Sequence, residues 1–382
     1  MASTRNEENP FRPDFGRSPA IWSGRSDLIQ PFAETMSKDQ WSMSRSLVIS
    51  GIRGSGKTAL LNELEDVAKQ NGWVLLRTTA TADAYQHLVE TAIPAAMQKF
   101  RGTKTKLSQV SVAHVGSVSF DADEAPLPKP ELEYSLRQLE TAILDRGGAG
   151  VIITVDEAQH FDSDFVHRLA TAVQSLNRDD LPVSLIFAGL TDGINQLLSL
   201  PGITFLRRAR RYQLGSLTVE ETRTNFAETA AMTDIRFTPE GLEEITLFSH
   251  GYPYLIQLSG WLAWREARDR DTQITPEVVH SVEGTALAEL GEQVHALQVR
   301  DLTAGQREFL NAMAEHTDIA QIAPIAAIAA TLGKSVTDVS AVRAKLIAAD
   351  VVVSAGRGLL QFTVPYFSEY LRGSAGPSRL FW

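Results

Sequence analysis

The chain has 382 residues and carries 36 Lys and Arg against 46 Asp and Glu, which gives a formal net charge of -10. Hydrophobic residues make up 43% of the sequence and charged residues 21%, the proportions of a folded globular protein rather than a disordered one. The acidic balance argues against a surface that is basic overall, and the absence of cysteine excludes disulfides and thiolate metal sites.

The first 20 residues are rich in Pro, Gly, Asn and Arg and show no hydrophobic period, which predicts an extended segment over 1–20. This segment lacks an apolar signal core, and the longest apolar run, 322–332, is too short to span a bilayer. We therefore expect a cytoplasmic protein with no membrane partner. Leu28, Ile29, Phe32 and Met36 then predict a short amphipathic helix.

Apolar runs alternate with amphipathic patterns from residue 46 to about 200. The predicted strands are 46–50, 73–80, 151–157 and 183–190, and the predicted helices are 57–70, 82–100, 131–146, 163–177 and a short helix ending at 200. Strands of continuous apolar residues, separated by helices, indicate a parallel sheet that is covered on both faces. Val and Ser partly alternate over 106–120, which predicts a hairpin or additional strands within the sheet.

The strand pattern stops after Leu214. Residues 218–270 predict two or three helices and 275–299 another, followed by helices at 303–316, 322–332 and 335–349 and a hairpin that turns at 356–358. Three helices and a hairpin have the order of a winged helix. We thus expect five parts: an extended segment 1–20, an α/β core 21–214, a helical domain 215–300, a winged helix 301–373 and a tail 374–382. The apolar end of the tail could dock on the protein or on a partner, or could be a loose terminus.

Residues 51–58, GIRGSGKT, fit the phosphate-loop pattern G-x-x-x-x-G-K-[ST] between a predicted strand and a predicted helix. Glycines let the backbone wrap closely around phosphates, so that several N–H groups point inward at the start of the helix. The residues expected to bind ATP or ADP here are Gly51, Gly54, Ser55, Gly56, Lys57, Thr58 and Ala59. Lys57 should contact the β- and γ-phosphates, and the Thr58 hydroxyl should bind Mg²⁺. The alternative is a glycine-rich turn with an exposed lysine.

The run VIITVDE places two carboxylates at the tip of an apolar strand. Asp156 is expected to hold Mg²⁺ through water, and Glu157 to orient and deprotonate the attacking water molecule. Alone, such a pair could simply cap the next helix, but together with the phosphate loop it predicts hydrolysis of the β–γ bond of ATP. Helicase boxes share these letters, yet no accompanying helicase motifs are found in the sequence.

With these two Walker motifs, the chain resembles AAA+/STAND-type ATPases of the archaeal-ATPase kind, which are related to origin-recognition and transposition ATPases. Outside these motifs, a less specific similarity to the family extends over residues 15–372. The resemblance implies an ASCE-type P-loop NTPase sheet, a helical lid and a C-terminal winged helix. Residues 19–25, PAIWSGR, resemble the segment that lies against adenine in this family, which would place Gly24 and Arg25 there.

Two further stretches resemble catalytic elements of the family. LIFAGLTD resembles the sensor-1 strand and implies that Thr191 contacts the γ-phosphate or the attacking water, although Thr191 could instead be a helix N-cap. FLRRARRYQLGSL resembles the segment that presents an arginine finger to a neighbouring subunit. Arg207, Arg208, Arg210 and Arg211 are all candidates that the sequence does not rank well, and a basic, solvated strand edge or a partner contact is the alternative.

Gly251-Tyr252-Pro253 resembles the GxP element of STAND ATPases, which implies that Pro253 packs on the base. A plain proline in the first turn of a helix is the alternative. The sensor-2 arginine that origin-type relatives carry on this helix is missing from the matching turn. This departure favours a switch ATPase over an initiator.

The winged helix bears on the choice of partner. Origin-type relatives use it to read DNA, whereas STAND relatives often pack it on the lid, and basic and acidic residues are equal in number between 302 and 372. We therefore expect a Mg-ATP-dependent conformational or oligomeric switch that acts on itself or on a partner effector protein. The alternatives are a DNA-binding initiator or loader, and a nucleotide-stabilised scaffold with negligible turnover.

Overall fold

The computed structural model describes residues 8–14, 16–37, 46–79, 81, 83–100, 131–160, 162–203, 205–318 and 320–373. The predicted hairpin at 106–120 and the tail 374–382 lie outside these described residues. Within the described ranges, no helix combines the length and the apolar character that crossing a lipid bilayer requires.

In the described part of the first domain, a parallel sheet contains five strands. They are β1 (Ser46–Gly51), β2 (Trp73–Thr79), β3 (Gly150–Asp156), β4 (Val183–Gly189) and β5 (Arg210–Leu214). Their order is β2-β3-β4-β1-β5, so β4 separates β1 from β3, and every pair is parallel. The predicted parallel sheet is confirmed. Because the strands are parallel, the carboxyl ends of β1, β3 and β4 meet at one edge, where ligands bind in such sheets.

Helices cover both faces of this sheet. They are α1 (Ser26–Met36), α2 (Lys57–Gln70), α3 (Ala84–His87), α4 (Ile93–Phe100), α5 (Leu132–Leu144), α6 (Ser163–Arg178) and α7 (Thr191–Ser199). A π-helical turn, Leu88–Ala92, joins α3 to α4, so the predicted helix over 82–100 is present with an interruption. Leu47 and Ile49 of β1 pack into the hydrophobic cluster on one face and Val48 into the cluster on the other, as the alternation of a strand requires.

Strand β5 is a core strand that the apolar pattern does not predict. It lies at the edge of the sheet, where Arg210 and Arg211 are exposed while Tyr212 and Leu214 are buried. An edge strand needs only one apolar face, so its sequence lacks the continuous apolar run of its neighbours. Residues 210–214 therefore form a basic strand edge, which was the alternative to an arginine finger.

A bundle of helices follows the sheet and is called the lid below. It contains α8 (Val219–Ala230), α9 (Pro239–Ser249), α10 (Pro253–Asp269), α11 (Pro276–Leu290), a π-helical turn (Gly291–His295) and α12 (Ala296–Arg300). The hydroxyls of Thr218, Thr238 and Thr275 cap α8, α9 and α11 and so fix where these helices begin. The apolar faces of the lid form one hydrophobic cluster.

The C-terminal domain has its own hydrophobic cluster. Its elements are α13 (Ala304–Glu315), β6 (Ile322–Pro324), α14 (Ile325–Thr331), α15 (Ser340–Ala348), β7 (Val352–Ser354), β8 (Leu359–Phe362) and α16 (Phe367–Leu371). The three strands pair antiparallel in the order β6-β8-β7. This helix and strand order is the one expected for a winged helix.

Two predicted helices of this domain begin later than expected. The helix predicted over 322–332 is wrong at its start, because Ile322 and Pro324 pair with β8 and the residue before a proline disfavours the α conformation. The helix predicted over 335–349 begins at Ser340. Before it, Ser335 and Asp338 form a local turn in which the Ser335 N–H donates to Asp338 Oδ2 at 2.9 Å.

Residues 8–25, called the N-terminal strap below, contain neither helix nor strand in their described part, but they are firmly attached. Phe11 is 2% exposed and packs into the lid beside Gly260, where a Cβ would approach the Phe11 ring to 2.5 Å. On the core side, Asn62 Nδ2 of α2 donates to the Gly16 carbonyl at 2.7 Å. The strap therefore links the lid to the core.

Candidate functional site

The phosphate loop connects β1 to α2 and has the backbone shape that its sequence predicts. Gly54 and Gly56 have φ angles of +72° and +88°, in the left-handed region that favours glycine. Gly51 is the last residue of β1, and a Cβ there would lie 2.6 Å from Ser55 Oγ. Helix α2 begins at Lys57, so the loop leads directly into a helix N-terminus.

Lys57 lies in this loop, and its ammonium group donates to the Ile52 carbonyl at 2.8 Å. Burial lowers the pKa of Lys57 to about 8, and the nearby carboxylates of Glu157, Asp156 and Asp350 partly oppose the shift. The exposed lysine of the alternative interpretation is therefore not what the structure contains.

The two Walker motifs meet at Thr58 and Asp156. The Thr58 hydroxyl donates to Asp156 Oδ2 at 2.9 Å. Burial raises the pKa of Asp156, while hydrogen bonds from the Glu157 N–H and the Thr58 hydroxyl act in the opposite direction. A hydroxyl and a carboxylate placed together are the oxygen ligands that Mg²⁺ prefers, so these residues fit the predicted metal role.

Glu157 follows β3 with a φ of +52°, an uncommon conformation for a residue other than glycine. Its carboxylate accepts a hydrogen bond from Gln159 Nε2, and Gln159 Oε1 accepts one from the Leu190 N–H at 3.1 Å. Gln159 therefore links the predicted base to the end of β4. No sequence motif singles out Gln159, although it lies only two positions beyond Glu157.

A cavity lies between the phosphate loop, the strap and the lid. Its lining comprises residues 53–59 of the loop, the strap residues Arg12, Pro13, Asp14, Gly16, Arg17, Pro19, Ile21, Trp22, Ser23 and Arg25, the lid residues Leu217, Asn225, Pro253, Tyr254, Ile256 and Gln257, and Glu157, Gln159 and Leu190. Ser55 Oγ is buried there with no hydrogen-bond partner within the described residues. An unpartnered hydroxyl in a glycine-rich loop that leads into a helix N-terminus fits a phosphate ligand.

The lid contacts the phosphate loop through Tyr252. This tyrosine is fully buried, and its hydroxyl donates to the Arg53 carbonyl at 2.7 Å. A Cβ on Gly54 would lie 2.0 Å from the same hydroxyl oxygen. Pro253 is in the first turn of α10 and also lines the cavity, so both interpretations of this proline fit its position. The Gly-Tyr-Pro motif points to its proline and gives no sequence signal for this contact of Tyr252.

Gly24 and Arg25 are adjacent in the strap but lie in different surroundings. Arg25 lines the cavity, donates to the Gly215 carbonyl at 2.7 Å, and has a pKa lowered by burial and partly restored by Glu221. Gly24 does not belong to the lining. A Cβ there would approach the Glu221 carboxylate to 2.6 Å, and its φ is +67°. We interpret Gly24 as a residue that allows close packing.

Thr191 contacts a residue that is distant in the sequence. It is the first residue of α7 rather than its N-cap, which is Leu190. Its N–H donates to Asp350 Oδ2 of the C-terminal domain at 2.7 Å, and its hydroxyl also interacts with this carboxylate. Leu190, and not Thr191, lines the cavity. The sensor role of Thr191 stays a prediction.

The candidate arginines differ in their surroundings. The Arg207 guanidinium donates to the Leu198 carbonyl at 2.9 Å and to the two carbonyls that follow, so it covers the end of α7. Arg208 is exposed beside it, and Arg210 stacks over the Tyr212 ring at 5.3 Å. Arg207 therefore has a structural role, and Arg208 and Arg211 are exposed candidates that remain.

Two family models match the sequence. The model described as an AAA ATPase domain matches residues 21–186, and a domain of unknown function matches residues 292–371. No curated protein matches the chain.

Solved structures with the same fold cover nearly the whole chain. A Walker-type ATPase of Pyrococcus abyssi is 13% identical with a TM-score of 0.62, and the match covers 94% of this chain and 99% of that one. The ORC2 protein of Aeropyrum pernix, solved as ADPNP–ADP complexes, is 14% identical with a TM-score of 0.61, covering 95% and 96%. At these identities the likeness is one of fold.

Proposed function

We propose that this chain, whose core is an AAA+ P-loop ATPase domain, binds and hydrolyses Mg-ATP and uses the nucleotide to control how its C-terminal domain is docked. The released domain would act on a partner protein or on a second copy of the chain. The observation that carries this proposal is the contact of Asp350 with Thr191, together with the electrostatic interaction of Asp350 with Lys57 of the phosphate loop.

The residues around the cavity support hydrolysis. Lys57 provides a positive charge for the phosphates, and Glu157, held by Gln159, is the base that orients and deprotonates water. A magnesium ion held by Thr58 and Asp156 would neutralise charge on the phosphates. Glu157→Gln should abolish ATP turnover while nucleotide binding is retained. Equal turnover before and after this change would contradict Glu157 as the base.

The position of Asp350 supports the switch. Its carboxylate lies close enough to Lys57 to raise the pKa of that lysine, and it holds the N–H of the predicted sensor residue. A γ-phosphate bound at Lys57 would place a second anion near the Asp350 carboxylate. These two like charges would repel each other, and the repulsion is stronger where water is excluded. We therefore expect ADP to be compatible with the docked domain and ATP to favour its release.

Labels on the two domains test this switch directly. Because the chain has no cysteine, Asp145→Cys on the core and Arg357→Cys in the turn between β7 and β8 give a unique pair of labelling sites. The distance between the labels should be short with ADP and longer with a non-hydrolysable ATP analogue. Asp350→Asn should lengthen it even with ADP, whereas the exposed Asp338→Asn in the same domain should not. One distance in every state would refute the switch.

DNA binding is a second candidate, and the basic residues Arg343 and Lys345 on α15 favour it. The docked state weighs against it, since α15 packs against α7 and Asp350 follows directly at its end. DNA would therefore be bound in the released state only. Salt-dependent DNA affinity that appears with the ATP analogue and is lost on joint Arg343→Ala and Lys345→Ala substitution would support this role.

A further inference from the structure

Asn225 is a buried polar residue that the hydrolysis chemistry does not use. It lies on lid helix α8, is 4% exposed and belongs to the lining of the cavity. Its Nδ2 donates to the Ile21 carbonyl of the strap at 3.0 Å. This bond fixes the orientation of the amide, because the opposite orientation would place Asn225 Oδ1 against the Ile21 carbonyl oxygen.

The other end of this amide has no partner. Asn225 Oδ1 is shielded from solvent and accepts no hydrogen bond from the described residues. Ser23 Oγ, which belongs to the strap and to the same lining, is also buried without a described partner. Unsatisfied buried polar atoms are rare and costly, so two of them at one cavity point to a ligand that completes their hydrogen bonds.

The surroundings of these atoms define the kind of ligand. Ile21, Leu217 and Ile256 contribute apolar side chains to the cavity, whereas the phosphate loop lines its other part. An apolar slot with an amide oxygen suits a flat heteroaromatic base that carries an amino group. Adenine has such a group at N6 beside a ring nitrogen that accepts a hydrogen bond, while guanine has an oxygen at the corresponding position.

We propose that Asn225 and Ser23 select adenine. Asn225 Oδ1 accepts a hydrogen bond from the exocyclic amino group, and the Ser23 hydroxyl donates to the neighbouring ring nitrogen. Guanine would direct its carbonyl oxygen at Asn225 Oδ1, which is an acceptor and cannot change its character because Nδ2 is engaged by Ile21. This assignment rests on the proposed function, since it requires that the cavity holds a nucleoside triphosphate.

A ligand series on the full-length protein tests the assignment. Affinities for ATP, GTP and purine riboside triphosphate, which is ATP without the amino group, are measured by competition at a fixed magnesium concentration. The wild-type protein should bind ATP about 10-fold more tightly than the purine riboside analogue, since the analogue leaves the acceptor unpaired. Asn225→Leu should reduce this ratio to about 2-fold or less, mainly through weaker ATP binding.

A matched control lies one turn further along α8. The Thr229 hydroxyl is also buried without a described partner, but Thr229 is outside the cavity lining, so Thr229→Val should leave the ratio unchanged. Ser23→Ala keeps the lid intact and should weaken the binding of ATP and of the purine riboside analogue alike, by about 3-fold each, because both ligands carry the ring nitrogen, so it tests the assignment even where Asn225→Leu does not fold.

The outcomes separate the two proposals. Equal wild-type affinities for ATP and purine riboside triphosphate would overturn the role of Asn225 and leave nucleotide binding intact. An unchanged preference in Asn225→Leu would do the same, and unchanged affinities for both ligands in Ser23→Ala would overturn the role of Ser23. Failure of the wild-type protein to bind any of the three triphosphates would instead overturn the proposed function.

Discussion

The hydroxyl of Tyr252 donates to the backbone carbonyl of Arg53, so the lid helix α10 begins on top of the phosphate loop. The contact occupies the space that a side chain on Gly54 would need. A movement of the lid therefore has to break this bond or carry the loop with it.

Removing this hydroxyl should weaken both the fold and the site. Tyr252→Phe leaves the Arg53 carbonyl without its donor, which should lower the free energy of unfolding by about 1–3 kcal/mol. We also expect about 5-fold weaker ATP binding, since the loop loses a support. Urea unfolding and calorimetric titration measure the two effects. The exposed Tyr134→Phe is the control, and wild-type values for Tyr252→Phe would show that the contact is unimportant.

Nucleotide affinity should decrease with rising pH. The pKa of Lys57 is lowered to about 8 by burial, so this lysine is cationic at pH 7 and largely neutral at pH 9. Only the cation attracts phosphate. The fraction of molecules with a charged Lys57 falls by about 10-fold over this range, and we expect ATP affinity to fall by the same factor. Lys57→Met removes the titrating group and should bind weakly with no comparable pH dependence. A flat wild-type profile from pH 7 to 9 would contradict the assignment.

Gln159 should matter for turnover rather than for binding. Gln159→Leu releases the Glu157 carboxylate and the Leu190 N–H, so the base loses its orientation. We expect turnover to fall about 10-fold while ATP affinity stays within about 2-fold. Steady-state turnover and equilibrium titration separate the two quantities. His160→Ala, an exposed change one residue further on, provides the comparison, and loss of binding by Gln159→Leu would argue for a different role.

Arg208 and Arg207 should behave differently in a mixing experiment. If Arg208 acts on the phosphates of a neighbouring subunit, Arg208→Ala and Glu157→Gln are each inactive, but mixing them restores turnover in mixed assemblies. Arg207→Ala should instead destabilise the fold by about 1 kcal/mol, because the end of α7 loses its cap. Absence of recovery on mixing, together with turnover that does not depend on protein concentration, would exclude a finger acting in trans.

The metal site should respond to the loss of either group. Thr58→Ala removes the hydroxyl, and Asp156→Asn removes the negative charge of the carboxylate, at the meeting point of the Walker motifs. Magnesium should then no longer increase ATP affinity, whereas nucleotide binding without metal should change by less than about 3-fold. Titrations with and without EDTA measure this. The same magnesium effect in the wild-type protein and in both variants would place the metal elsewhere.

Local patterns could be interpreted from the sequence because their physical causes are local. The runs at 46–50 and 183–190 predict buried strands, since each is apolar on both faces. The glycines of the phosphate loop and the carboxylates after β3 indicate their chemistry through spacing alone. By contrast, the strap shows no period, and nothing near Phe11 indicates that it completes the core of the lid.

The amino-acid sequence by itself determined the four apolar strands of the sheet, most of the helices, the loop that can wrap a phosphate and the acids that can hold a metal, because each depends on residues that are close in the chain. Only the tertiary structure decided that Asp350 meets Thr191, that Tyr252 lies on Arg53 and that Asn225 is held by Ile21. These partners are more than 150 positions apart. They meet because the lid and the C-terminal domain bury apolar surface around the edge of the sheet, and no sequence spacing encodes where such surfaces come together.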